Sequence, residues 1–122
     1  MDFVKLVYDG CHYRYNGGSG LKMDILGRFL LSEIRWDITT YREWACDEAY
    51  LSACGNITSL DKEGGYIYLS DLYSEEQVPT ELKMTVQQFI QLLDDWQDKV
   101  CKLKPKEVII KYENDKFVIE TN

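Results

Sequence analysis

Cysteine and histidine are the side chains best suited to covalent or metal chemistry, and this chain has Cys11, Cys46, Cys54 and Cys101 with one histidine, His12. The thiols are irregularly spaced and include no Cys-x-x-Cys, whereas zinc sites are usually built from close ligand pairs. Metal binding is therefore not expected, and no cofactor is implied. Cys11 and His12 are adjacent, but neighbours on a strand project to opposite faces and cannot form a dyad with each other. A Cys/His site assembled by the fold, with Cys54 brought to His12, stays open as a minor alternative. Asp94, Asp95 and Asp98 give carboxylates on a helix surface, yet a general acid and base need two environments that pull their pKa values apart. Ser32 lacks a Gly-x-Ser-x-Gly elbow. Asn16-Gly17-Gly18-Ser19-Gly20 lacks the Gly-Lys-Ser or Gly-Lys-Thr ending of a phosphate loop. No catalytic residue is predicted, and the chain reads as a non-enzyme.

What the chain does have in quantity is acid mixed with aromatic. Its 122 residues carry a net charge of −7, and residues 33–81 hold eleven acids against only Arg35, Arg42 and Lys62. The flanking segments are close to neutral, so the whole imbalance sits in the centre. Direct nucleic-acid binding is not expected, because neutralising phosphates needs a clustered basic face. Lys99, Lys102, Lys104 and Lys106 do cluster, but at the end of a predicted helix, where they complement its dipole. Nine tyrosines and three tryptophans supply side chains that bury large areas at low rotameric cost and keep a polar tip. The predicted partner-binding surface is Asp61, Glu63, Tyr66, Tyr68, Asp71, Tyr73, Glu75 and Glu76, supported by Glu43, Trp44, Asp47 and Glu48. Acids around aromatics select a positively charged partner and speed its encounter.

The elements that must position these residues make an α+β domain: an antiparallel sheet with a C-terminal helix packed on it, followed by a closing β-hairpin. One domain over residues 1–122 suits the length. Thr85 and Gln88 form a capping box, with Met84 and Phe89 spaced as a hydrophobic staple. Val86, Phe89, Ile90, Leu93, Trp96 and Val100 then make one apolar stripe, and Pro105 ends the helix at or before Lys104. Glu107 to Tyr112 and Lys116 to Thr121 form a hairpin around Asn114-Asp115, pairing Tyr112 with Phe117 and Ile110 with Ile119 on its core side. Upstream, Phe3 to Asp9 is a strand that pairs with Cys11 to Tyr15 across Asp9-Gly10, and Asn16 to Gly20 is a loop. Met23 to Ile34 favours strand over helix. Residues 39–54 are helical, Asn56 to Gly65 a loop, Tyr66 to Leu69 a strand, and Asp71 to Pro79 an acidic connection. Nothing approaches a membrane span, and Met1 to Asp9 has no features of a leader. A cytoplasmic protein with reduced, partly buried thiols is expected.

The run Val86-Gln87-Gln88-Phe89-Ile90-Gln91-Leu92-Leu93-Asp94-Asp95-Trp96, through Lys104-Pro105-Lys106 into Val108-Ile109-Ile110 and Phe117-Val118-Ile119-Glu120, resembles small immunity proteins. These belong to bacterial polymorphic-toxin and contact-dependent growth-inhibition systems, and often pair a helix ending in Leu-Leu-x-x-Trp with a closing hairpin. The resemblance covers residues 66–122, and its motifs are structural, so no functional residue carries over. It implies an inhibitor of the C-terminal toxin domain of a neighbouring effector. Such toxins are often basic nucleases, for example tRNases, whose phosphate-binding cleft an acidic, aromatic patch would occlude. A non-immunity acidic adaptor is the main alternative. A DNA mimic would spread denser acid over its whole length than these neutral ends allow.

Overall fold

Thr85 opens the longest helix because its side chain and that of Gln88 satisfy each other's backbone. In the computed structural model, which describes residues 2–49, 51–54, 58–71, 81–114 and 116–121 apart from the side chains of Leu21, Cys54 and Asp71, Thr85 Oγ1 accepts from the Gln88 N–H at 3.0 Å. Gln88 Oε1 accepts from the Thr85 N–H at 2.8 Å. Helix α3 runs Val86–Trp96 and continues through a π turn, Gln97–Cys101. Its stripe of Phe89, Leu92, Leu93, Trp96 and Val100 is buried. The chain leaves the helix at Lys104, whose φ of 48° and N–H to Val100 O bond of 2.9 Å make a left-handed cap before Pro105. Thr85→Ala is expected to lower unfolding free energy by about 1 kcal/mol, read from urea denaturation, with Thr85→Ser retaining most of it.

The hairpin follows as its alternation predicts. Strands β7 (Glu107–Glu113) and β8 (Lys116–Thr121) pair Ile110 with Ile119, Lys111 with Val118 and Tyr112 with Phe117. Ile110, Phe117 and Ile119 are buried, while Tyr112 stays exposed with its ring tilted against that of Phe117, 4.9 Å between centroids. β1 (Asp2–Tyr8) lies between β7 and β2 (Tyr13–Ser19), giving a four-stranded antiparallel sheet of order β2-β1-β7-β8.

Residues 13–19 correct the loop expected over Asn16 to Gly20. Gly18 pairs with Val4 of β1 because it allows a close backbone approach: a Cβ there would stand 2.6 Å from Phe3 O. Residues 23–34 correct the expected strand. They form helix α1 (Leu21–Phe29) and a π turn, Leu30–Ile34. Met23, Ile25, Leu26, Phe29 and Leu30 are all buried, because α1 bridges the first sheet and a second one. Only Lys22, Asp24 and Arg28 mark a wetter side, and the apolar residues that cover the rest spread wider than the single stripe by which helices are recognised. Gly27 permits this seating, since a Cβ there would meet Val4 Cγ2 at 3.0 Å.

The helix expected over 39–54 ends early. Helix α2 is Thr39–Cys46; Asp47 is extended, and its side chain accepts from the Ala49 N–H at 2.8 Å. Ser52–Cys54 is instead strand β3. Most of the loop expected over Asn56 to Gly65 is strand β4 (Thr58–Glu63). β5 (Tyr66–Asp71) extends the expected strand, and Glu81–Thr85 adds β6. These make a second antiparallel sheet, β3-β4-β5-β6, where one sheet was expected. The connection expected after Asp71 lies outside the described residues. Helices α1 and α3 contact strands of both sheets, and buried side chains from both sheets and all three helices form one core. The fold class is α+β. Among the described residues no helix is long and apolar enough to cross a membrane.

Candidate functional site

The second sheet has one dry face and one wet face. Thr58, Leu60, Ile67, Leu69, Leu82 and Met84 are buried on the first. By the two-residue period of a strand, Asp61, Glu63, Tyr66, Tyr68, Glu81 and Lys83 project from the second. Cross-strand pairing lines up Ser52, Asp61, Tyr68 and Lys83 in one row, and Glu63, Tyr66 and Thr85 in the next. Ser52 Oγ donates to Asp61 Oδ1 at 2.7 Å. Lys83 Nζ stands 4.1 Å from the Tyr66 ring centroid and 5.9 Å from that of Tyr68. Four predicted partner-binding residues, Asp61, Glu63, Tyr66 and Tyr68, therefore share one face, and Asp61, Glu63 and Tyr68 line a shallow groove there with Lys62 and Glu81.

The remaining predicted residues divide. Asp71 ends β5 opposite Thr58. Tyr73, Glu75 and Glu76 lie outside the described residues. Asp47 and Glu48 are exposed just after α2. Glu43 is exposed on α2, in a groove with Thr39, Cys46 and Gln97, away from the sheet face. Trp44 packs inward, 6.1 Å from the Phe89 ring, and serves the margin of the core rather than a contact surface. Its indole N–H is buried without an acceptor among the described residues.

Lys62 explains why so few positive charges dilute this face. Its ammonium lies 4.5 Å from the Trp44 ring centroid and donates to the carbonyls of Trp44 and Asp47. One of the three cations of residues 33–81 is thus spent capping the carbonyl end of α2. A second, Arg42, is held by Asp94 at 2.9 Å, tying α2 to α3.

Away from the acidic face lies a feature with no mark in the sequence. A cleft of about 390 Å³ is lined by His12, Tyr13, Leu30, Leu31, Arg35, Trp36 and Trp96. Its aromatic wall is continuous, with Tyr13 5.8 Å from Trp36 and 6.1 Å from Trp96 between ring centroids. Tyr13 begins β2 and donates its hydroxyl to Pro105 O. Burial pushes its phenol up to about 12, so it holds its proton and stays a donor. His12 does not sit on a strand as expected. It ends a turn in which Asp9 accepts from the Cys11 and His12 N–H groups at 2.8 and 2.9 Å and from Arg14 Nε at 2.7 Å. These bonds, the His12 amide foremost, hold the Asp9 carboxyl well below the usual carboxylate range.

The cysteines differ from expectation in exposure. Cys11 and Cys46 are free and exposed, while Cys101 is half-buried, its thiol pKa raised by that burial. Among the described residues no group of three or more His, Cys, Asp or Glu side chains is placed to hold a metal ion. No family model, curated protein or solved structure matches this chain.

Proposed function

We propose that this chain is a cytoplasmic, non-catalytic immunity protein that binds and neutralises the basic C-terminal domain of a cognate bacterial toxin, a nuclease such as a tRNase. The observation that carries the reading is the convergence of Asp61, Glu63, Tyr66, Tyr68 and Glu81 on one exposed sheet face. Such a face offers carboxylates to the cations that would otherwise hold phosphate, and aromatic rings to the apolar ground between them. Engagement of the half-buried Lys62 by the Trp44 ring and two backbone carbonyls leaves Lys83 as the main counter-charge within that surface. The helix-and-hairpin resemblance supports the same reading independently of charge.

The test is rescue of growth. The toxin domain encoded immediately upstream is induced in a tolerant bacterial host with and without this chain, and rescue by the chain is the expected result. Asp61→Lys with Glu63→Lys should then lower the association rate with that domain by about tenfold at low salt and flatten its salt dependence. Toxicity that the chain fails to relieve removes the immunity reading and leaves a general adaptor. Rescue with unchanged association in the double variant would move the interface off this face.

A further inference from the structure

Of the residues at the cleft, Arg35 lines it and Lys104 stands beside its Trp36, and both occupy backbone positions where glycine would be easier. Arg35 has φ 53° and ψ −104°, with the Asp37 N–H donating to Ile34 O at 3.0 Å. This is the first central position of a type II′ turn, the seat that glycine fills without strain. The turn does serve the fold, because it aims Arg35 O at Trp96 Nε1, 2.8 Å away. Glycine would aim the same carbonyl equally well. The fold therefore accounts for the backbone of residue 35 and not for its side chain.

Lys104 repeats the pattern. Its φ of 48° puts it in the left-handed position after a helix, which glycine favours, and its ammonium lies 5.6 Å from the Trp36 ring centroid. Among the described residues the third positive-φ residue other than glycine, Asn114, is in a hairpin turn where asparagine is ordinary. Two independent strained seats thus both carry cations, and both flank Trp36. Neither cation is paired with a carboxylate among the described residues. Two π turns among the described residues also adjoin this place, one running into Arg35 and the other starting after Trp96, and π turns concentrate at functional sites.

We propose that the cleft binds a small, flat aromatic anion, its ring against Trp36 over the Tyr13 and Trp96 floor and its anionic group held by Arg35 with Lys104 alongside. Indole faces stack planar rings, a guanidinium takes a phosphate or carboxylate in a fork, and the volume falls in the range of small-ligand sites. The chemistry is shared by nucleoside monophosphates and by aryl carboxylates. It is separate from the acidic sheet face and does not depend on toxin binding.

The three tryptophans supply the readout, because Trp36 and Trp96 line the cleft and Trp44 does not. The ¹⁵N-labelled full chain is titrated with AMP, GMP, CMP and UMP, with indole-3-acetate, and with adenosine and inorganic phosphate as ring and anion alone. The expected result is movement of the Trp36 and Trp96 indole N–H signals, with Trp44 still, at a Kd below about 1 mM. Adenosine and phosphate alone should each bind more weakly. Arg35→Gly should weaken binding by about tenfold or more while the melting temperature holds or rises, and Lys104→Gly should act in the same direction. Response to nucleotides only, or to indole-3-acetate only, identifies the source. No indole response to either class at millimolar ligand overturns the proposal, as does equal movement of Trp44 or wild-type binding by Arg35→Gly.

Discussion

Replacing Trp96 with alanine is expected to lower unfolding free energy by about 4 kcal/mol, a large part of the 5–15 kcal/mol typical of a domain this size. Trp96 is 1% exposed and closes the last turn of α3 against Tyr13. It is the largest of the fully buried side chains described, so its loss leaves the largest void. That loss also strips Arg35 O of its indole donor, leaving the weak Cys101 thiol at 3.7 Å. Trp96→Phe separates these effects. It keeps most of the packing, gives up the N–H, and should cost about 1–2 kcal/mol. Urea denaturation of both variants provides the check. A Trp96→Ala loss within 1 kcal/mol of the Trp96→Phe loss would mean that hydrogen bonding, not filled volume, is what matters there.

Lys62→Met should cost about 2 kcal/mol, the worth of a charge-assisted hydrogen bond with a cation–π contact, less what water recovers at this half-buried position. Methionine preserves the stem but leaves two carbonyls without the ammonium. The Asp47 carbonyl loses its donor, while that of Trp44 keeps the Asp47 N–H at 3.2 Å. The damage should be local: amide exchange in α2 speeds up, while β7 and β8 keep their protection. The neighbouring Glu63→Ala, on the exposed side of the same strand, should stay within about 0.5 kcal/mol of wild type. Equal losses at the two positions would show that Lys62 acts only as a surface charge.

How much of this was legible in the sequence follows from how local each determinant is. The capping box of Thr85 and Gln88 and the register of the C-terminal hairpin are set within a few residues, and both appear as expected. α1 was not legible, because burial against two sheets spreads Met23, Ile25, Leu26, Phe29 and Leu30 around most of its girth and leaves only Asp24 and Arg28 to mark a wet side in that run. β3, β4 and β6 were missed because they are short and half-polar, and the alanines at 45, 49 and 53 mimic helical spacing across what becomes a strand. Of the predicted partner surface, Asp61, Glu63, Tyr66 and Tyr68 converge because they alternate on two paired strands, which sequence spacing can anticipate. Trp44 goes inward because Phe89 and Lys62 meet it there, and neither contact is visible in the chain's order. The cleft was illegible for the same reason: it is assembled from the β1–β2 turn and the ends of two helices. The backbone angle that distinguishes Arg35 has no compositional trace.

The position of β1 between β2 and β7 also governs the order in which the protein can be made. Val4 and Leu6 oppose Ile110 and Val108, so nearly the whole polypeptide separates the halves of the first sheet, and such long-range pairing is slow to form. As the chain leaves the ribosome, the β1–β2 hairpin must hold its apolar side in waiting until the last two strands emerge. The successive strands of the second sheet need no such delay. A nascent chain is therefore expected to acquire the acidic face before it acquires its closed core, with the free edge of β1 as the surface on which a chaperone would act.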